Sequence, residues 1–342
     1  MVEQTNYPQQ TWSKLGQCLE QETRKKPRGA LIKGMLKKAK YIHVLENWTA
    51  RVGLGKPPIN MLGAIRPLLA LKPLDDELQK SGKEILREWN SVELNKLADI
   101  SKVSDDAVIV VIGCRTRYKK LLNTVNRLRE QRHGFKVIGI IGKGRGPDWA
   151  IKTNRKNGIL TVPCRDSYEA LPEKILWMCL AINLIDSNLA IIKVDDDTKA
   201  VRGEKIKRLL KTTLLQGNDA AGLPISIASP LAVDRGWHIG KSNGKHNWTA
   251  FQGLAPKRWM SGGAGYLLQK QAVSELANFA LHSWEYIKNE LYEDLAVSHI
   301  LQSCGKSIYW VNNCEELGLR NERINEIEEK QRQFNASSAG EK

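Results

Sequence analysis

The chain has no Cys-x-x-Cys pair and no histidine at zinc-finger spacing, which excludes the common structural zinc folds. Its six cysteines are Cys18, Cys114, Cys164, Cys179, Cys304 and Cys314, and several sit in apolar runs where a small buried thiol is expected. Cys304 and Cys314 could bridge, but nothing in their spacing demands it. No apolar run is long enough to span a bilayer. The opening Met-Val-Glu-Gln-Thr-Asn-Tyr-Pro has no apolar core of a signal peptide. We therefore expect a cytoplasmic protein with reduced thiols, in which the sequons at Asn47, Asn247 and Asn335 carry no meaning. The glycine-rich stretches Gly142–Pro147 and Gly240–His246 lack the spacing of a phosphate loop, which argues against ATPase or GTPase chemistry. Acidic residues are scarce, 37 against 53 Lys and Arg, and the net charge is +16. Such a field favours anionic partners: nucleotides, nucleic acid or an anionic membrane surface. Nucleic acid is the weaker expectation, since no recognised binding motif is present and few aromatics stand among the basic positions.

What is present begins with length. The 342 residues, 42% of them hydrophobic, suffice for one large domain or two modest ones with a sizeable core. Residues 1–56 hold eleven Lys and Arg against four Glu. Within them Leu31, Ile32, Met35, Leu36, Ala39 and Ile42 fall on one helical face, and Lys33, Lys37, Lys38 and Lys40 lie elsewhere. That is a basic amphipathic helix. It packs on the protein's own body or lies on anionic lipid, with residues 24–45 as the contact. Residues 75–98 read as a further helix. From Ala107 the pattern changes to alternating strands and helices: strands over Ala107–Ile112, Phe135–Ile141, Gly158–Val162 and Leu189–Val194, helices over Tyr118–Gln131 and Leu171–Leu184. This alternation predicts an α/β domain with a mostly parallel sheet. The expected division is a basic, mainly helical region over 1–105, an α/β domain over 106–320 and a charged tail over 321–342.

Five segments carry chemistry. Asp166 to Lys174 lead a loop into a helix and place Lys174 in its early turns, the wrong sign for a helix N-terminus, which points to an anionic ligand nearby; the alternative is a solvent-facing lysine. Ile191 to Val194 deliver Asp195, Asp196 and Asp197 to the C-terminal end of a strand. Clustered carboxylates are hard ligands suited to Mg²⁺ or Mn²⁺; the alternative is a solvated acidic turn. Arg115 and Thr116 follow the first strand of the α/β unit, where such folds bind ligands. Trp259 to Tyr266 contain Gly262, Gly263, Ala264 and Gly265, a backbone free to approach a ligand closely. Glu293 and Asp294 open a helix, either as a cap or as a general base with a raised pKa.

Taken in order, the Asp166–Lys174 run (Asp-Ser-Tyr-x-x-Leu-x-x-Lys), Asp195–Asp197, Gly262–Tyr266 and Glu293–Leu295 resemble landmarks of the GT-A fold nucleotide-sugar glycosyltransferases. They are most similar to glycosyltransferase family 31, the β-1,3-galactosyltransferase and Fringe group. The resemblance covers roughly residues 107–320. It implies a Rossmann-like GT-A domain and an inverting, Mn²⁺- or Mg²⁺-assisted transfer of a hexose from a UDP-sugar to a hydroxyl of a glycan or lipid-linked saccharide. Carried over by position, Asp197 is the main metal ligand, and Asp195 and Asp196 contact metal, ribose or donor sugar. Arg115, Thr116 and Lys174 line the donor pocket. Gly262, Gly263 and Ala264 form the floor beneath donor and acceptor. Asp294 is the general base, with Glu293 the second candidate. The family supplies a C-terminal His as a further metal ligand. His299 is the one that follows Asp294, and His238 is an alternative in an aromatic-flanked loop. A catalytically inactive, transferase-like scaffold is the other reading, opposed by the intact triplet and the Glu293–Asp294 pair.

Overall fold

A computed structural model describes Arg87 and residues 106–143, 151–154, 157–226, 232–235, 241, 251–254, 257–282 and 290–321. The basic amphipathic helix with its contact region 24–45, all of the helix expected over 75–98 except Arg87, His238 and the tail beyond Asn321 lie outside them. Strand β1 (Ala107–Ile112) is buried at every position, as an Ala-Val-Ile-Val-Val-Ile run must be when both sheet faces are covered. Helix α1 (Tyr118–Glu130) leads to β2 (Lys136–Gly142), then β3 (Lys152–Asn154) and β4 (Ile159–Val162). Helix α2 (Leu171–Ile185) follows, then β5 (Ala190–Asp195), β6 (Thr198–Val201) and α3 (Gly203–Leu215). The remainder is β7 (Ala220–Gly222), β8 (Pro224–Ser226), β9 (Ala232–Arg235), β10 (Phe251–Leu254), β11 (Arg258–Met260), β12 (Tyr266–Leu268), α4 (Lys270–His282), α5 (Glu293–Ser303), β13 (Ile308–Trp310) and β14 (Leu319–Asn321).

Eight strands form one sheet in the order β13-β7-β12-β5-β1-β2-β4-β3. Strands β1, β2, β4 and β5 run parallel, as do β7 and β13, while β12 is antiparallel to both of its neighbours and β3 to β4. The domain is thus α/β with the mostly parallel sheet that the alternation predicts. The short pairs β9–β10, β8–β11 and β6–β14 stand apart from it.

Side-chain alternation on β5 decides what faces the site. Ala190, Ile192 and Val194 join the core cluster with Leu121, Val125 and Leu128 of α1. Ile191, Lys193 and Asp195 therefore face the other way, toward the layer of α2 and α5. Helix α2 is apolar almost all round and buried along its length, as a helix held between a sheet and a second helix must be. The five described cysteines, Cys304 and Cys314 among them, form no disulfide with one another. Among the described residues no helix is long and apolar enough to cross a membrane.

Candidate active site

After β1 the chain builds outward through β2 and β4, then returns through α2 to place β5 on the other side of β1. The direction of winding reverses between β1 and β5. In an open α/β sheet that reversal leaves a crevice at the C-terminal strand ends. Two of the predicted segments flank it. Ile112, the last residue of β1, is paired with Asp195, the last residue of β5. Arg117 reaches across from the loop after β1, its guanidinium 2.6 Å from Asp196.

A buried staple holds the loops around the crevice. Lys174 in the first turns of α2 is 1% exposed. It donates to the Gly113 carbonyl at 2.8 Å and to Asp166 Oδ1 at 2.7 Å. Asp166 also accepts from the Gly142 N–H at 2.8 Å and from the Arg115 N–H. One lysine and one aspartate thus tie together the chain beyond β1, β2 and β4. Lys174 is spent inside the protein. Arg115 and Thr116 stand exposed on the one-turn helix Arg115–Arg117, with Arg115 Nε donating to the Gly142 carbonyl at 3.2 Å.

A second buried network joins the other three segments. Lys193 is 2% exposed and sits opposite Tyr266 across β5 and β12. Its ammonium donates to Glu293 Oε1 at 2.7 Å and the Gly262 carbonyl at 2.9 Å, and lies 2.8 Å from Asp195 Oδ1. All three of its protons are used. Tyr266 donates its hydroxyl to Glu293 Oε2 at 2.8 Å. Burial alone would lower the Lys193 pKa, but Asp195 and Glu293 outweigh it and hold the ammonium charged. The same burial pushes the Glu293 carboxyl upward, with Lys193 opposing. Glu293 is therefore held on both oxygens.

Asp294 is held differently. Its Oδ2 accepts from the Gly262 N–H at 2.9 Å and its Oδ1 from the Leu295 N–H at 2.8 Å. Each oxygen keeps a free lone pair. Burial raises its pKa, and the two N–H bonds offset only part of the rise. Gly262 is required here because a Cβ would fall 2.4 Å from Glu293 Oε1 and 3.0 Å from Asp294 Cβ. Gly263 is exposed, and its carbonyl accepts from Asn321 Nδ2 at 2.6 Å. Ala264 is fully buried in the core cluster.

The three aspartates after β5 have three fates. Asp195 is half-buried and bonded to Lys193. Asp196 is 4% exposed and faces α1, paired with Arg117. Burial lifts its pKa to about 6 against the pull of Arg117 and Lys120. Asp197 carries a buried Oδ1 with no hydrogen-bond partner among the described residues. Burial and the neighbouring Asp195 raise its pKa. An orphaned carboxylate oxygen beside a second acid fits a hard divalent cation of the kind held by one or two carboxylates plus substrate phosphates. Among the described residues no group of three or more His, Cys, Asp or Glu converges to hold a metal. His299 is exposed on α5. Five residues of helix turn it about 140° from Asp294, so it is not brought to Asp195 and Asp197 by that route.

Three residues outside the sequence-based set belong here. Lys193 is the hub. Its signal was a lone cation in an otherwise apolar strand, two residues before Asp195 and so on the same face. Tyr168 is the second: burial, then Asp294, Tyr292, Glu293 and Asp195 around it, push its hydroxyl well above the usual tyrosine range. Lys241 is the third, its ammonium 5.9 Å from the centre of the Tyr168 ring. No spacing pattern connects residue 241 with residue 168.

No protein-family model and no curated protein matches the chain. Among solved structures, the chain is similar to 2-C-methyl-D-erythritol 4-phosphate cytidylyltransferase from Thermus thermophilus, with a TM-score of 0.31 and 12% identity over 60% of this chain and 87% of that one. It is similar to CMP:2-keto-3-deoxy-manno-octonic acid synthetase in complex with CTP, with a TM-score of 0.30 and 10% identity over 60% and 89%. It is also similar to mouse xyloside xylosyltransferase 1, with a TM-score of 0.31 and 11% identity over 61% and 86%. Likenesses at that level establish no kinship, so the functional reading rests on the residues themselves.

Proposed function

We propose that the protein is a metal-dependent glycosyltransferase that moves a hexose from a UDP-sugar to a hydroxyl of a glycan or lipid-linked saccharide, with inversion. The observation that carries this reading is the network through Lys193 and Gly262. It joins the acidic strand end, the glycine floor and the Glu293–Asp294 pair, segments up to a hundred residues apart, into one buried constellation.

Each residue has a task. Gly262 and Leu295 fix the Asp294 carboxylate from behind through their N–H groups, leaving lone pairs for an acceptor hydroxyl. Asp294 takes the hydroxyl proton as the acceptor oxygen attacks the anomeric carbon. The bond from that carbon to the diphosphate oxygen breaks in the same displacement, which inverts the centre. A raised pKa makes the carboxylate a stronger base near neutral pH. Lys193 keeps Glu293 and Asp195 from drifting and stops the acids from repelling one another. Arg115 and Lys241 are cations placed to meet an anionic donor. Asp195 and Asp197 would hold the divalent cation, which when bound offsets charge on the departing diphosphate. The role of third ligand for His299 has no geometric support, and phosphate oxygens or water can complete the shell instead.

The test is sugar transfer or donor hydrolysis from UDP-sugars with Mn²⁺. Asp294→Asn should lower kcat about 10²–10⁴-fold, with thermal stabilisation by the donor and Mn²⁺ intact. Asp197→Asn should abolish the dependence on divalent cation. Wild-type turnover in Asp294→Asn would remove Asp294 from the mechanism. Failure of every nucleotide sugar to stabilise the protein would favour an inactive scaffold.

A further inference from the structure

Helix α3 ends on two side chains that the fold leaves outside. Ile206, Leu209 and Thr213 turn inward and are buried. Leu214 and Leu215 are 57% and 75% exposed, the only exposed large hydrophobics among the described residues. A single exposed leucine is ordinary. Two in succession at a helix end, followed by the left-handed Gly217 (φ 70°), make a projecting apolar tip.

The helix behind that tip is basic. It carries Lys205, Lys207, Arg208 and Lys211 against the single carboxylate Glu204. Lys205 is tied to Glu315 at 2.7 Å, and Lys207 lies 3.4 Å from Glu204. Arg208 and Lys211 meet no carboxylate among the described residues. Lys211 stands three and four residues before the leucines, Lys207 and Arg208 one turn further back, so the cations lie behind the tip on its own side of the helix.

We infer that the end of α3 is a docking surface for an anionic lipid bilayer. The leucine pair enters the boundary between headgroups and acyl chains while Lys207, Arg208 and Lys211 meet lipid phosphates. The charge of the patch selects this occupant. A second copy of the chain, packed about a two-fold axis, would set these cations against themselves. Nucleic acid would use the cations and leave the leucines in water. Helix α3 leads into β7, which runs parallel to β5 through their shared antiparallel neighbour β12. The tip therefore lies at the sheet edge opposite Asp195–Asp197, and docking leaves the crevice open to water. Docking at this tip is independent of the transfer chemistry proposed above.

The test is co-sedimentation of the full-length chain with mixed phosphatidylserine–phosphatidylcholine vesicles and with pure phosphatidylcholine vesicles. Partition should favour the anionic vesicles and weaken with salt. Leu214→Ser/Leu215→Ser should reduce it roughly tenfold or more. Lys207→Gln/Arg208→Gln/Lys211→Gln should reduce it about fivefold per cation. The leucines, Arg208 and Lys211 are exposed and Lys207 is half-buried beside Glu204, so melting temperature and circular dichroism are measured on both variants and should match the parent. Partition within twofold of wild type in the leucine variant would overturn the proposal and assign any binding to another segment. Equal binding to neutral vesicles would also overturn it. So would a dimer in sedimentation velocity that the leucine variant dissociates, or duplex DNA binding that only the charge variant loses.

Discussion

Gly262 is where a single atom decides most. Gly262→Ala would drive a methyl into Glu293 Oε1, 2.4 Å away, and against Asp294. The carboxylates must move, and displacing a reacting group by about 1 Å costs on the order of 10²-fold in turnover. We expect kcat to fall by that order while the fold survives with about 1–3 kcal/mol less stability, measured by steady-state kinetics and urea unfolding. Lys193 gives a different signature. Lys193→Met strands Glu293 in the interior and should cost about 3–5 kcal/mol. Lys193→Met/Glu293→Gln should recover a large part of that loss, and strictly additive losses in the cycle would contradict the pairing. In the proposed mechanism Asp294 sets the pH profile. Its folded pKa is raised, so its base form is present above that value and is lost as pH falls through it. The acidic limb of kcat/KM should therefore lie above the ordinary Asp value of about 4, and a limb at or below it would count against Asp294 as the base. Much of this was legible. Asp195, Asp197, Gly262 and Asp294 announce themselves by type and order. Lys193 was harder to read because a lysine in a strand is by default solvated, and only the partner a hundred residues away explains its burial.

At the scale of elements, the staple under the crevice is the most exposed to test. Lys174→Met would leave Asp166 buried with two N–H donors but no cation. The loops after β1 and β2 should loosen, with about 3–5 kcal/mol of stability lost. Amide hydrogen exchange should speed first at Gly113–Arg117 and Gly142, and unchanged protection there would mean that the lysine holds nothing. The elements that carry this staple were readable from the chain. Strands β1, β2, β4 and β5 are mostly apolar runs, α1 has an apolar stripe, and α2 is apolar almost all round apart from Glu173, Lys174 and Asn183. Residues 198–257 show no clear local pattern of strand or helix. Helix α3 has its signal, Ile206, Leu209 and Thr213 at helical spacing, masked by adjacent leucines that face outward. Strand β7 is Ala-Ala-Gly, residues with little β preference that pair only because β12 and β13 bracket them. Strand β6 finds its partner β14 more than a hundred residues later, and Thr198 there donates to Asn321 Oδ1 at 2.7 Å. Contacts so distant leave no local pattern.

For the whole molecule the governing quantity is the net charge of +16. Part of that charge is aimed. Arg117, with its side chain 52% exposed, and Lys120, 38% exposed, stand beside the acidic strand end. The diphosphate donor proposed above would meet these cations first, and the field of the whole chain adds behind them. Steering of this kind acts on encounter, so it should appear in kcat/KM for the donor and leave kcat alone. Raising ionic strength from about 0.01 M to 0.15 M shortens the screening length from about 30 Å to 8 Å. We expect donor kcat/KM to fall about tenfold over that range, with divalent cation kept saturating. A neutral acceptor feels no such field, and its KM should stay within twofold, which separates steering from general loss of activity. Arg117→Gln/Lys120→Gln should flatten the salt dependence. Because Arg117 also holds Asp196, the variant's donor kcat/KM at high salt should lie below that of the parent by the cost of freeing that carboxylate. A donor kcat/KM indifferent to salt in the parent would mean that the excess charge serves another surface, for which the end of α3 is the standing candidate.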